Sequence, residues 1–214
     1  MEQAINKEKK TFTDILREQF KGILDPIGAF LNRLGLMPNT MTIIGLVGTT
    51  VGAALIAIGH VTWGGIMILL MGPIDALDGT MARLRGEASQ FGAFVDSVSD
   101  RYSELAIYGG LFIYFIQRED WLSCVLVYMA AAGSILVSYV KARAESLGFE
   151  ARIGILTRVE RYLVLAPGLV FNLPTLALWI IAIFANITAL QRIIHVRIQA
   201  YATHKYLEKP SKKG

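Results

Sequence analysis

From Met41 to Ala200 the chain is dominated by apolar runs long enough to cross a bilayer, and that feature removes most folds from consideration. About 20 consecutive apolar residues span the hydrocarbon core as a helix. Six such stretches can be laid out, at 39–59, 61–83, 90–117, 120–144, 159–173 and 174–195. Pro167, Pro174 and a short "NLP" break interrupt the last two. None shows the alternation of a barrel strand, and a backbone in lipid must close its hydrogen bonds within the segment or in a closed barrel. Composition agrees: of 214 residues 54% are hydrophobic and 18% charged, too apolar for an ordinary soluble domain. The expected fold class is an all-α integral membrane protein with six transmembrane helices.

Basic residues orient the spans. Lys7, Lys9, Lys10, Arg17, Lys21 and Arg33 precede the first span, and of the remaining lysines and arginines only Arg118 maps to the opposite side. By the positive-inside rule both termini and the Arg83–Glu87 and Glu145–Arg158 loops are cytoplasmic, and the turns near His60, Arg118 and Asn172 face out. Before the first span, Phe12, Ile15, Leu16, Phe20, Ile23, Leu24 and Ile27 recur at helical spacing opposite Asp14, Arg17, Glu18 and Lys21. This predicts an amphipathic helix in the cytoplasmic interface, broken or kinked near Pro26. The turn "AFLNRLG" then leads to "MPNTMT", where Asn39 is placed to cap the first spanning helix.

No internal repeat is visible, so the expected organisation is a cytoplasmic N-terminal segment, 1–36, one six-helix catalytic domain, 37–200, and a basic cytoplasmic tail, 201–214. The net charge of +4 suits anionic headgroups at the membrane surface, and no nucleic-acid partner is expected. Cys124 is the single cysteine, which excludes an intrachain disulfide and a thiolate metal site. His60, His195, His204, Trp63, Tyr114, Trp121 and Trp179 read as interfacial or packing residues.

Four aspartates interrupt this apolar background. Each carboxylate at mid-membrane costs about 2.5–3.5 kcal/mol, so four need compensation. Asp75 and Asp78 are three apart at the end of the second span, and Asp96 and Asp100 are four apart at the start of the third. Both spacings put a pair on one helix face. The short connection makes the helices antiparallel neighbours whose faces can meet. Four carboxylates offer hard oxygens with no histidine or cysteine nearby, a donor set for Mg²⁺, Mn²⁺ or Ca²⁺ that can hold two ions and serve phosphoryl chemistry. Gly79 and Gly92 let a bulky ligand approach the backbone, and Arg83 offers a planar fork to a phosphate. A divalent-cation transporter would also use intramembrane carboxylates, but it gains nothing from an arginine beside them and should show repeats or broken helices.

The pattern Asp75-x-x-Asp78-Gly79-x-x-Ala82-Arg83, eight residues, then Gly92-x-x-x-Asp96-x-x-x-Asp100 resembles the signature of the CDP-alcohol phosphotransferases, with every position filled. The resemblance implies a six-helix enzyme, a homodimer, binding CDP-diacylglycerol at the cytoplasmic face of a prokaryotic plasma membrane. It implies Asp75, Asp78 and Asp96 as ligands of two Mg²⁺ or Mn²⁺ ions, with Asp100 as base, further ligand or both. Gly79, Ala82 and Gly92 would make room for the cytidylyl group, Arg83 would contact a phosphate, and Asn39 and Thr42 would lie near the nucleotide by family position.

The stretch "SYVKARAESLGFEARIGILTRVER" is similar to the matching region of the phosphatidylinositol-phosphate and archaetidylinositol-phosphate synthases within that family, with Thr157 replacing the first Glu of their "ER-x-ER" element. Arg192 stands where those enzymes have a "QR" pair. Lys141, Arg158, Arg161 and Arg192, at the cytoplasmic ends of three helices, are the expected contacts for an anionic acceptor. Glu104 is expected to order Arg101, and Glu160 to pair with an arginine. The acceptor implied is a phosphorylated polyol, inositol 1-phosphate, with glycerol 3-phosphate next and free inositol or serine behind. The glycerophosphate enzymes usually carry "DP-x-ADK" around the third and fourth aspartates, where this chain has "DSVSDR".

Overall fold

The computed structural model describes the backbone of residues 12–86 and 89–207 and the side chains of 20–86 and 89–202. Lys7, Lys9, Lys10, the side chains of Phe12, Ile15 and Leu16, Glu87 and the tail lysines lie outside the described residues. Seven helices and no strand occur among the described residues: α1 (Phe12–Arg33), α2 (Pro38–Ala57), α3 (Val61–Arg85), α4 (Gln90–Ile116), α5 (Trp121–Ser146), α6 (Arg158–Val170) and α7 (Pro174–Leu207). The regular structure of the described residues is all helical, as expected. Among them four stretches are long and apolar enough to cross a membrane: Pro38–Ala57, Val61–Arg85, Trp121–Ser146 and Pro174–Ala202. α4 is not among them because Asp96, Asp100, Arg101 and Glu104 interrupt its first half. α6 has 13 residues, about 20 Å of rise against a hydrocarbon core of about 30 Å.

α1 continues through Pro26 without a break. A proline leaves the carbonyl four residues back, here Gly22, without its helical donor, and Gly22 is exposed. Asn39 does not cap α2. The helix begins at Pro38, whose missing N–H is one that helix starts leave unpaired anyway, and Thr40 N–H donates to the Met37 carbonyl at 3.0 Å, so Asn39 sits in the first turn.

The residues group into two compact units, Met1–Gly45 with Gly72–Ser99, and Leu46–Met71 with Asp100–Gly214. In the first, Met41, Leu77 and Met81 are buried with Leu24, Leu31, Leu36 and Ile74 packed against them. Asn32 ties the end of α1 to the end of α3, donating to the Met81 carbonyl and accepting from Arg85 Nε at 2.7 Å. Phe20, Ile23, Ile27 and Phe30 recur every three or four residues and are exposed among the described residues, an apolar stripe along α1.

The second unit holds the larger core, including Ile56, Ile68, Leu111, Val137, Leu169, Leu178 and Ile181. Between apolar helices the lipid tails offer no hydrophobic driving force, so contact depends on close packing at small residues. Gly110 shows it: a Cβ there would lie 2.3 Å from the Ala53 carbonyl oxygen. Asp120 caps α5, accepting from Ser123 N–H at 3.0 Å and from its hydroxyl, and these donors hold its carboxyl below the usual range.

Pro73 stands inside α3 and leaves the Leu69 carbonyl without a helical donor. The Tyr162 hydroxyl of α6 supplies it, reaching the Leu69 carbonyl at 3.0 Å and that of Ile68 at 2.8 Å. α7 extends past the expected end at residue 195, and three of its residues, from the middle of the helix onward, fasten the irregular segment 147–157. Thr188 accepts from Leu156 N–H, Arg192 donates to the Ile153 carbonyl, and Gln199 both accepts from and donates to the backbone of Glu150.

Candidate functional site

The last turns of α3 carry Asp75 and Asp78 at the i, i+3 spacing of one face, and the second turn of α4 carries Asp96. In the first unit one oxygen from each lies within 4.8 Å of the others. Asp78 is buried; its Oδ2 accepts from the Thr42 hydroxyl at 2.7 Å and its Oδ1 from the Gly79 N–H. The position beside Asp75 Oδ1 is filled by Gly45, where a Cβ would come to 3.9 Å. Oxygens around one octahedral ion are roughly 3 to 4 Å apart, so three converging carboxylates with no softer donor match a divalent cation such as Mg²⁺ or Mn²⁺.

Arg83 lies one turn beyond Gly79, with its guanidinium exposed and Nη2 donating to Thr80 Oγ1 at 2.9 Å. Nη1 lies 3.4 Å from where a Gly79 Cβ would stand, so Gly79 and Arg83 share a face of α3. Ala82 and Gly92 are partly exposed, and Gly92 N–H donates to Ser89 Oγ at 2.9 Å at the start of α4. Thr42, expected only near the nucleotide, is bonded to an acid of the cluster, while Asn39 is exposed in the first turn of α2.

The fourth aspartate belongs to the second unit and is not one of the three converging acids. Asp100 is buried; its Oδ1 is met by the Arg158 guanidinium and its Oδ2 lies 3.8 Å from Arg101 Nη1. One turn further along α4, Glu104 takes both arms of Arg161, at 2.8 and 3.1 Å. Arg161 is 1% exposed and also donates to the Leu156 carbonyl. Glu104 therefore serves Arg161, where sequence spacing had suggested Arg101. Glu160 accepts from the Thr157 hydroxyl and not from an arginine side chain in any ion pair described.

The four expected acceptor cations divide by exposure. Lys141, 4 residues before its partner Glu145 at 3.9 Å, and Arg158 have side chains 44% and 46% exposed. Arg161 and Arg192 are buried. Arg192 donates to the Val137 carbonyl at 2.6 Å and to the Ile153 carbonyl at 2.8 Å, which fixes the segment before α6. Sequence reasoning missed Tyr162, Thr188 and Gln199 as supports; the Pro73 gap was the one signal that α3 needed an outside donor.

The family model for CDP-alcohol phosphatidyltransferase matches residues 35–203. The phosphatidylinositol phosphate synthase of Streptomyces avermitilis is 37% identical over 198 residues, covering 85% of this chain and 80% of its own. The archaetidylinositol phosphate synthase of Pyrococcus horikoshii is 33% identical over 183 residues, covering 85% and 95%. Among solved structures, Mycobacterium tuberculosis phosphatidylinositol phosphate synthase with CDP-DAG bound matches with a TM-score of 0.76 and 31% identity, over 81% of this chain and 93% of that one. A crystal structure of the same enzyme in complex with manganese and citrate also matches at 0.76. The sequence match runs from the turn before α2 to the last turns of α7 and takes in the acidic cluster, and the chain belongs to the CDP-alcohol phosphatidyltransferase family.

Proposed function

We propose that this enzyme transfers the phosphatidyl group of CDP-diacylglycerol to inositol 1-phosphate, giving phosphatidylinositol phosphate and CMP. The convergence of Asp75, Asp78 and Asp96 carries the reading, because such a cluster suits a divalent cation and a pyrophosphate substrate gives that cation its use. The names of the relatives support inositol phosphate as the acceptor. Asp75, Asp78 and Asp96 would hold two ions, Mg²⁺ or Mn²⁺, which when bound neutralise pyrophosphate charge as Lewis acids. Thr42 orients Asp78, Gly79, Ala82 and Gly92 leave room for the cytidylyl group with Asn39 at its edge, and Arg83 contacts a phosphate.

Asp100 accepts the proton of the acceptor hydroxyl as its oxygen bonds to the lipid-side phosphorus; the bond from that phosphorus to the CMP oxygen breaks, and CMP leaves. Lys141 and Arg158, the exposed cations, contact the acceptor phosphate, while Arg161 and Arg192 add buried positive charge behind them. α2 to α7 form the six-helix membrane domain, 37–200, with α1 in the cytoplasmic interface on its exposed stripe, and both termini and the site face the cytoplasm of a prokaryote. The working state is a homodimer.

The test is an acceptor panel. Purified protein with Mn²⁺ and CDP-diacylglycerol is given inositol 1-phosphate, glycerol 3-phosphate, inositol or serine, and the lipid product is identified by mass. Phosphatidylinositol phosphate as the main product is expected; phosphatidylglycerophosphate would move the enzyme to the glycerophosphate branch, and metal uptake into vesicles without CMP release would make it a transporter.

A further inference from the structure

α1 and α3 meet at Gly28, where a Cβ would lie 3.2 Å from Thr80 Cγ2. Thr80 is 2% exposed. Its hydroxyl donates to the Ala76 carbonyl one turn back at 3.2 Å, the bond a threonine inside a helix makes with its own backbone. A hydroxyl has one proton to give, so toward Arg83 the same oxygen accepts, and Arg83 Nη2 donates to it at 2.9 Å. Thr80 is therefore held twice, by α3 through its hydroxyl and by α1 through its methyl, and it in turn holds Arg83. The arginine is exposed and long, a side chain that loses much rotamer freedom when it is fixed. The bond to Thr80 uses one of five N–H donors and leaves the rest of the fork for a ligand, with Nη1 on the Gly79 side.

Resting on the reading that Arg83 contacts a phosphate of CDP-diacylglycerol, we propose that Thr80 is a positioning residue for that substrate: it sets the Arg83 guanidinium beside Gly79 before the substrate arrives, and α1 sets Thr80 at Gly28. A cation already in place costs less side-chain entropy on binding than one the ligand must order. In the signature Thr80 falls on an unspecified position between Gly79 and Ala82, so the sequence pattern gives it no role. The contact at Gly28 also gives the N-terminal helix a part in substrate affinity without touching the substrate.

The experiment measures the Kd of CDP-diacylglycerol for the full chain in detergent with saturating Mn²⁺. Thr80→Val keeps the shape and removes the hydroxyl. The Kd should rise about three- to tenfold, the range expected when one long side chain has to be ordered on binding, and Thr80→Ser should recover most of the affinity. Mn²⁺ affinity and the KM for inositol 1-phosphate should stay at wild-type values in Thr80→Val, which separates a misplaced Arg83 from damage to the acidic cluster two residues away. Arg83→Ala should weaken CDP-diacylglycerol binding by itself, and Thr80→Val should add nothing in that background. Gly28→Ala should also raise the Kd by pressing on the Thr80 methyl, and Gly28→Ala with Thr80→Ser, which lacks that methyl, should bind more tightly than Gly28→Ala alone. A Thr80→Val chain that binds as the wild type does, or a loss that persists undiminished in Arg83→Ala, overturns the role of Thr80; unchanged binding in Gly28→Ala overturns the part given to α1. A wild type that binds CDP-diacylglycerol and forms no phosphatidyl alcohol with any acceptor overturns the transfer reading instead.

Discussion

The Thr42 hydroxyl donates to Asp78 Oδ2 at 2.7 Å, so an acid of the metal cluster is oriented from α2, 36 residues earlier in the chain. A hydrogen bond to a charged group is worth about 1.5–3 kcal/mol, or roughly tenfold and more in affinity. Thr42→Val should weaken Mn²⁺ binding by about that factor, and Thr42→Ser should restore it. Direct Mn²⁺ titration of the purified variants reads this; equal affinities would reduce Thr42 to a packing residue.

Asp100→Asn keeps the size of the side chain and removes the base. Acceptor-dependent CMP release should fall by about 10²- to 10⁴-fold, the usual worth of a positioned base, with CDP-diacylglycerol binding retained. Undiminished release would exclude Asp100 from proton transfer.

Removing one partner of a buried pair strands the other. Arg161→Ala should lower stability by about 3–5 kcal/mol, seen as an earlier thermal transition in detergent, and Arg161→Met combined with Glu104→Gln should recover much of it. If Arg161 instead spent its charge on the acceptor phosphate, the single variant would keep its transition temperature and lose only acceptor KM.

Gly110→Ala would drive a methyl group into the Ala53 carbonyl, whereas the position one residue earlier, Gly109, has nothing within 4 Å. The first substitution should cost about 1–3 kcal/mol and the second should be near neutral or stabilising. Thermal unfolding of the two side by side checks the packing of α2 on α4.

Much of this was readable from residue order. The i, i+3 spacing of Asp75 and Asp78 announced half of the cluster, because helical spacing alone brings them to one face, while the i, i+4 spacing of Asp96 and Asp100 brought only Asp96 into it; the starts of α3, α4, α5 and α7 fell where apolar runs begin. What could not be read is chemistry with the backbone. Arg192 and Arg161 looked like ligand cations from their position, yet both donate to main-chain carbonyls, and every residue carries a carbonyl, so no side-chain pattern marks the partner. Pro26 was compatible with a break or a kink, and the helix is not broken there, because a proline removes one helical donor without having to end the helix. Glu104 was paired with the wrong arginine because three-residue spacing on one helix competed with a partner 57 residues away.

The bond from Tyr162 to the Leu69 carbonyl joins residues 93 positions apart. A chain entering a bilayer during synthesis delivers α3 well before α6, and an unmatched carbonyl in hydrocarbon is costly. α3 therefore completes its own hydrogen bonding only when α6 has been made and has docked, so a truncation ending before residue 162 leaves the helix that carries Asp75 and Asp78 with its proline gap open. The order of manufacture is built into the helix, whose proline gap waits on a tyrosine made 93 residues later.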